Sequence, residues 1–258
     1  MRESTLILQT TLKRLFRDKI SYLSMLLLPM AIIIVNIMMV ENSQAAQQLG
    51  GVAAFAPVIA ILIIVMFQYF GGEYMAIFLE QDFSQARKWR LASLPVSKNN
   101  FIFSSIIASV IFSLIQSLLM MIVATFVYDI TWGNVFVQFG IMIITSILAQ
   151  FIWMTIYLIT LDKKKTSTFG MVFVFATTFM GGGLGWYGGM GFFQRVLQIP
   201  TPFYLSTRLM FNVADTSMPL FDHFNSGLSF TALFFLLVAM TIVMGGVVAV
   251  LGKRREVV

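Results

Sequence analysis

The sequence contains no cysteine and one histidine, and charged residues fill only 11% of its 258 positions. Without cysteine there are no disulfides and no thiol chemistry. His223 stands beside Asp222 but has no second histidine and no thiolate to share a metal ion, and metal sites need more ligands than that. A soluble domain carries roughly a quarter charged residues, so the scarcity of charge removes that class. A nucleotide-binding loop is missing as well. Gly252-Lys253 is the nearest approach to G-x-x-x-x-G-K-[ST], but Arg254 follows it and Val247 occupies the position of the first glycine.

What the chain has instead is hydrocarbon: 59% hydrophobic residues and a mean hydropathy of +0.88. The apolar residues gather into six runs, Ser21–Val40, Val52–Phe70, Phe101–Val127, Val135–Leu161, Phe169–Trp186 and Leu228–Leu251. Each is near the ~20 residues that a helix needs to cross a bilayer core. None contains Asp, Glu, Lys or Arg. Backbone groups in lipid must be satisfied internally, and uninterrupted runs of this length fit helices rather than barrel strands. The expected fold is an all-α membrane protein with six transmembrane helices. Ion-coupled carriers and voltage sensors keep ionisable groups within their spans. Here Gln68, Gln116 and Gln150 are the strongest polar groups inside the runs, which disfavours a secondary carrier and points to an energy source outside the chain.

The net charge of +6 follows the topology. Of the 17 Lys and Arg residues, all but Arg195 and Arg208 lie in the N-terminal arm, the second-to-third and fourth-to-fifth connections, and the C-terminal tail. This alternation is the positive-inside pattern, and it places both termini in the cytoplasm, as an even number of spans also requires. The charge is therefore no nucleic-acid footprint. Ser43-Gln44-Ala45 loosely resembles a signal-peptide cleavage site, but the run before it is too long for one, so cleavage is not expected.

Between the runs the chain is organised. Leu8, Leu12, Leu15, Phe16 and Ile20 recur at helical spacing opposite Lys13, Arg14, Arg17 and Asp18, predicting an interfacial helix over residues 1–19. The second span should end at Gly71-Gly72, with Glu73–Leu79 extending it, and Gln81–Leu94 should form a short separate helix closed by Pro95. Ser97 is placed to cap the third span. Ser105, Ser109, Ser113 and Ser117 form one stripe on that span, read as close helix packing with a hydrophilic path as the alternative. Seven glycines in the eleven residues from Gly181 should break the fifth span. Phe192–Ile199 is apolar enough to re-enter the outer leaflet, within an external re-entrant region over 185–225. Thr201–Asn225 should be an external segment interrupted by prolines. The whole reads as one permease domain, 1–258.

Glu80 and the stretch Trp89-Arg90-Leu91-Ala92-Ser93-Leu94-Pro95-Val96-Ser97-Lys98 resemble the acidic-start, L-L-S-x-P-V-S-R cytoplasmic segment of ABC-2 type exporter permeases. Pro202-Phe203-Tyr204 with Arg208 resembles that family's proline–aromatic stretch before the last span. Where the family has Gly-Thr before the cytoplasmic helix, this chain has Gln85-Ala86-Arg87-Lys88. The resemblance implies a permease subunit without catalytic residues, paired with a second permease copy or a homologous permease and with two copies of a separate ABC ATP-binding subunit. ATP and Mg would sit on that partner, and this chain would bind no cofactor or metal. Asp82–Pro95 would be the coupling helix, so Glu80, Asp82, Phe83, Arg87, Lys88, Trp89, Arg90, Leu91, Leu94 and Pro95 are the implied ATPase-coupling residues. Gln68, Phe173, Thr177 and Thr178 are the implied transport path. The cargo would be a hydrophobic drug, an amphipathic or antimicrobial peptide or a lipid-like molecule, exported across a bacterial cytoplasmic membrane. Rival readings are a secondary carrier or channel, an intramembrane enzyme, and a non-transporting scaffold or immunity protein.

Overall fold

The computed structural model describes residues 2–17, 19–48, 50–83, 98–182, 199–214 and 228–254, which are helical apart from short turns. In chain order the helices are α1 (Arg2–Arg17), α2 (Lys19–Glu41), α3 (Gln44–Gln48), α4 (Gly51–Phe83) and α5 (Lys98–Tyr128). Then follow α6 (Val135–Thr160), α7 (Lys163–Met180), α8 (Pro202–Ala214) and α9 (Phe230–Arg254). Among the described residues four helices hold segments long and apolar enough to cross a membrane: Gly51–Ile77, Asn100–Tyr128, Val135–Thr160 and Phe230–Arg254. A shorter apolar helix covers Leu27–Glu41. Of the six apolar runs, four thus stand out as candidate spans on these criteria.

The bundle is built around α4, which packs on α2, α5, α6, α7 and α8. Ala60, Ile61, Ile64, Val65 and Leu79 on this helix are completely buried. A helix that is apolar all round belongs in the centre, and α4 is one. The helix continues through Glu73–Leu79 as expected, but its candidate span runs to Ile77, past the expected end at Gly71-Gly72. Gln81 does not begin a new helix: a single 33-residue helix runs to Phe83. The reason is local. Gly72 lies against Trp153 and the Ala149 carbonyl of α6, and Gly71 lies against Ser113 of α5, so the glycines let neighbours approach rather than releasing the backbone.

Caps fix the other ends. Asn134 Oδ1 accepts the N–H groups of Phe136 (3.1 Å) and Val137 (3.3 Å), starting α6. Leu161, in left-handed backbone conformation, returns its N–H to the Tyr157 carbonyl at 2.8 Å and ends it. Asp162 then caps α7 by accepting from Lys165 N–H at 2.9 Å. As a result Lys163, Lys164 and Lys165 form the first turn of α7 rather than a loop, and this helix starts six residues before the apolar run at Phe169. It stops at Met180 with Gly181 as its cap, where the glycine cluster begins.

Two further placements add detail that the sequence does not supply. The apolar face of α1 is covered by the chain itself: Ile7, Thr11 and Leu15 are buried, and Leu8 and Leu12 pack with Ala108 and Phe112 of α5 and Tyr74 of α4. Lys13 and Arg17 remain exposed. Residues 202–214, within the stretch expected to be external and interrupted by prolines, form one helix that begins at Pro202. Pro202 occupies its first position, where proline's missing N–H costs nothing, and Thr201 Oγ1 accepts from Tyr204 N–H at 3.3 Å. Nearly every residue of this helix is buried, against α4, α6, α7 and α9. The expected re-entrant helix at Phe192–Ile199 lies outside the described residues up to its last position, and Ile199 is in a turn.

Candidate functional site

Glu73 and Glu80 are seven residues apart on α4, so they share one face about 10.5 Å apart along the axis. That face meets the start of α7. Glu80 Oε1 accepts the backbone N–H of Lys163 at 3.2 Å, and Glu73 Oε1 accepts a short hydrogen bond from Ser167 Oγ. The first-turn N–H groups of a helix have no partner within the helix, and its N-terminus carries partial positive charge. Two glutamates and the Asp162 cap bring negative charge there, which offsets the three lysines of the same turn. Thr166 completes the corner: its hydroxyl donates to the Asp162 carbonyl at 2.7 Å and lies 2.6 Å from the Thr160 hydroxyl.

One turn further into the bundle, Trp153 of α6 is wedged between two glycines. A β-carbon on Gly72 of α4 or on Gly170 of α7 would collide with its ring. The indole N–H donates to the Tyr69 carbonyl at 2.6 Å, and the side chain is fully buried. Phe70 and Phe175 then meet edge to face with ring centroids 5.5 Å apart. Three helices are thereby locked at one level with no side chain between the Trp153 ring and the flanking backbones.

The interior beyond this level is polar for a membrane bundle. Gln68 Nε2 donates to the Met142 carbonyl at 3.4 Å. The Ser105, Ser109, Ser113 and Ser117 stripe is at most 3% exposed, inside the chain's own packing. Ser105 and Ser117 hydroxyls donate back to the carbonyls of Phe101 and Ser113, each at 2.9 Å. Gln150, with both of its side-chain polar atoms, and the hydroxyls of Ser109, Ser113 and Ser146 find no partner among the described residues. At the end of the bundle away from the lysines, Ser206 of α8 gathers hydroxyls: Thr145 donates to it at 3.0 Å, and the Tyr69 hydroxyl lies 3.1 Å away. Gln138 Nε2 donates to the carbonyls of Met210 (2.8 Å) and Trp132 (3.2 Å), tying α8 to the α5–α6 turn.

The residues picked from the sequence are distributed unevenly over this geometry. Glu80 is at the α4–α7 joint, and its carboxylate is directed at the chain's own α7. Asp82 and Phe83 lie in the last turn of α4. Arg87, Lys88, Trp89, Arg90, Leu91, Leu94 and Pro95 fall outside the described residues, as do the Ser97 cap and His223. Gln68 and Thr178 are each 1% exposed, and Thr177 is buried with its hydroxyl donating to Phe173 O at 3.0 Å. Phe173 is half-buried against the core. The four path residues thus lie on α4 and α7, Gln68 on the first and Phe173, Thr177 and Thr178 on the second. Sequence reasoning missed Glu73, Ser167, Trp153 and the Tyr69–Thr145–Ser206 cluster. Of these only Glu73 had a signal, its heptad spacing from Glu80.

A search of the curated proteins finds no match. The family of ABC-2 type transporters matches residues 2–214, a stretch that includes α1 to α8. The chain is a multi-pass membrane protein by its apolar helices, and within an ABC transporter such a chain is the transport component rather than the ATP-hydrolysing one. With the matched residues covering most of its length, the chain belongs to the ABC-2 type transporter family, as a membrane permease component.

Proposed function

We propose that this permease is the membrane subunit of an ATP-driven exporter, working as a pair of permeases with two copies of a separate ABC ATP-binding subunit. The observation that carries this reading is α4, a core helix that continues past its apolar part to Phe83 and delivers the chain into the basic segment at 84–97. A 33-residue helix is about 50 Å long, well beyond the ~30 Å hydrocarbon thickness. Its far end therefore stands outside the bilayer, where a soluble partner can reach it. In this reading α2 and α7 complete six spans, both termini are cytoplasmic in a bacterial cell membrane, and residues 82–95 form the coupling helix. ATP and Mg are bound by the partner alone. The cargo is a hydrophobic drug, an amphipathic or antimicrobial peptide or a lipid-like molecule, for which the 18 methionines and 26 phenylalanines offer adaptable apolar contact.

The test is co-purification. Leu91→Asp with Leu94→Asp should abolish co-purification with a candidate ABC ATP-binding subunit that associates with the unchanged permease, while the variant permease still inserts and purifies. Retained association with continuing transport would refute the coupling role of this segment.

A further inference from the structure

We infer that Glu73 and Glu80 are positioning residues that fasten the start of α7 to the end of α4, so that the two helices move as one body when the segment after Phe83 moves. The contacts come in register. Glu80 meets Lys163, Glu73 meets Ser167, Gly72 and Gly170 close on Trp153, and Phe70 meets Phe175. Descending numbers on α4 pair with ascending numbers on α7, as two antiparallel helices in continuous contact require. The stretch from Glu80 to Phe70 covers about 15 Å of helix axis. Only its outer two contacts use charged groups, and both are made by carboxylates at a helix N-terminus.

The chemistry of the joint explains why glutamate serves there. Glu80 reaches a backbone N–H that α7 itself leaves unpaired. Glu73 reaches a hydroxyl one turn further on. A hydrophobic contact could slide, whereas two directional hydrogen bonds at either end of one helical turn fix both rotation and register of α7. Ala76, Ile77 and Thr166 line the same corner as Glu73, Lys163 and Ser167. The inference rests on the coupling reading, because that reading supplies the motion to be passed on.

The experiment uses the absence of native cysteine, which lets spin labels be placed at will. Labels at Lys164→Cys on α7 and Lys253→Cys on α9 report the position of α7 against a helix outside the joint; both sites are exposed. In the complex with its ATPase subunit in lipid nanodiscs, trapping with ADP and vanadate should shift the label separation. Glu73→Ala, at a residue outside the implied coupling set, should diminish the shift while the ATPase subunit stays bound and hydrolyses ATP. Glu73→Gln keeps the acceptor oxygen and should retain it. A shift of undiminished size in Glu73→Ala, or no shift in the wild-type complex, overturns the inference. Failure of the ATPase to bind even the wild-type permease refutes the coupling reading instead, and the transmission with it. Hydrogen exchange on the permease alone supplies the check on folding. Exchange at Lys163 should quicken in Glu80→Ala and not in Glu80→Gln, and equal exchange in the two would show that the joint itself is not made.

Discussion

Helices α4 and α9 are nearly equal in apolarity, with mean hydropathies of 2.4 and 2.7 over their candidate spans, yet 61% of the first is buried and only 17% of the second. In water that contrast would be odd, since apolarity drives burial. In a bilayer it is the rule, because lipid is as apolar as leucine and gives helices no hydrophobic reason to associate. What separates the two helices is their small and polar residues and what these meet. On α4, Gly71 and Gly72 face Ser113 and Trp153, Gln68 bonds to α6, and Tyr69 bonds through both its carbonyl and its hydroxyl. On α9, Gly246 faces open space and the nearest atoms to Gly245 are the edge of the Phe151 ring.

The contrast can be broken at α4 and should survive change at α9. The largest effect is expected at Trp153. Trp153→Ala empties the wedge between Gly72 and Gly170 and removes the bond to Tyr69, and should cost about 3–5 kcal/mol, read by reversible unfolding in mixed SDS micelles. Gly72→Ala and Gly170→Ala should each cost about 1–3 kcal/mol in the same assay by overpacking against the indole. Trp153→Leu should restore part of the loss from Gly170→Ala, a coupling that separates the steric cause from a general helix effect. Gln138→Leu removes the bonds to Met210 and Trp132 and should cost about 1 kcal/mol, since hydrogen bonds inside membrane bundles are worth little more. Smallest of all, Gly246→Ala on α9 should change stability by less than about 0.5 kcal/mol. A Gly246→Ala effect as large as that of Gly72→Ala would mean that α9 is packed against something as tightly as α4 is.

Much of this bundle could be read from the chain. Four of the six apolar runs reappear as long apolar helices, and the break at Gly181 falls where the glycines begin. The errors came from treating local signals as if the surroundings were water. Gly71-Gly72 reads in sequence as the end of the second span, but beside Trp153 and Ser113 it is what permits contact, and the apolar segment runs on to Ile77. Lys163–Lys165 read as part of the connection between the fourth and fifth spans, yet they form the first turn of α7, where three cations oppose the positive end of a helix. Asp162 next to them supplies part of the offset, and Glu73 and Glu80, more than 80 residues away, supply the rest. The burial of α8 had no sequence signal at all, since Pro202 marks an end and a start equally well. The coupling residues from Arg87 to Pro95 are outside the described residues, so at those positions the motif stands alone.

The meeting of Tyr69, Thr145 and Ser206 has a consequence for how the chain is made. Tyr69 and Ser206 are 137 residues apart in sequence. At a synthesis rate of about 5–20 residues per second, Tyr69 exists for roughly 7–27 s before Ser206 is even polymerised. During that interval the tyrosine and threonine hydroxyls lack the partner α8 brings, so nascent α4 and α6 must wait with the seat for α8 unfilled. A ribosome-stalled chain ending before Pro202 therefore holds both hydroxyls without that partner, and the arrival of one short helix supplies it.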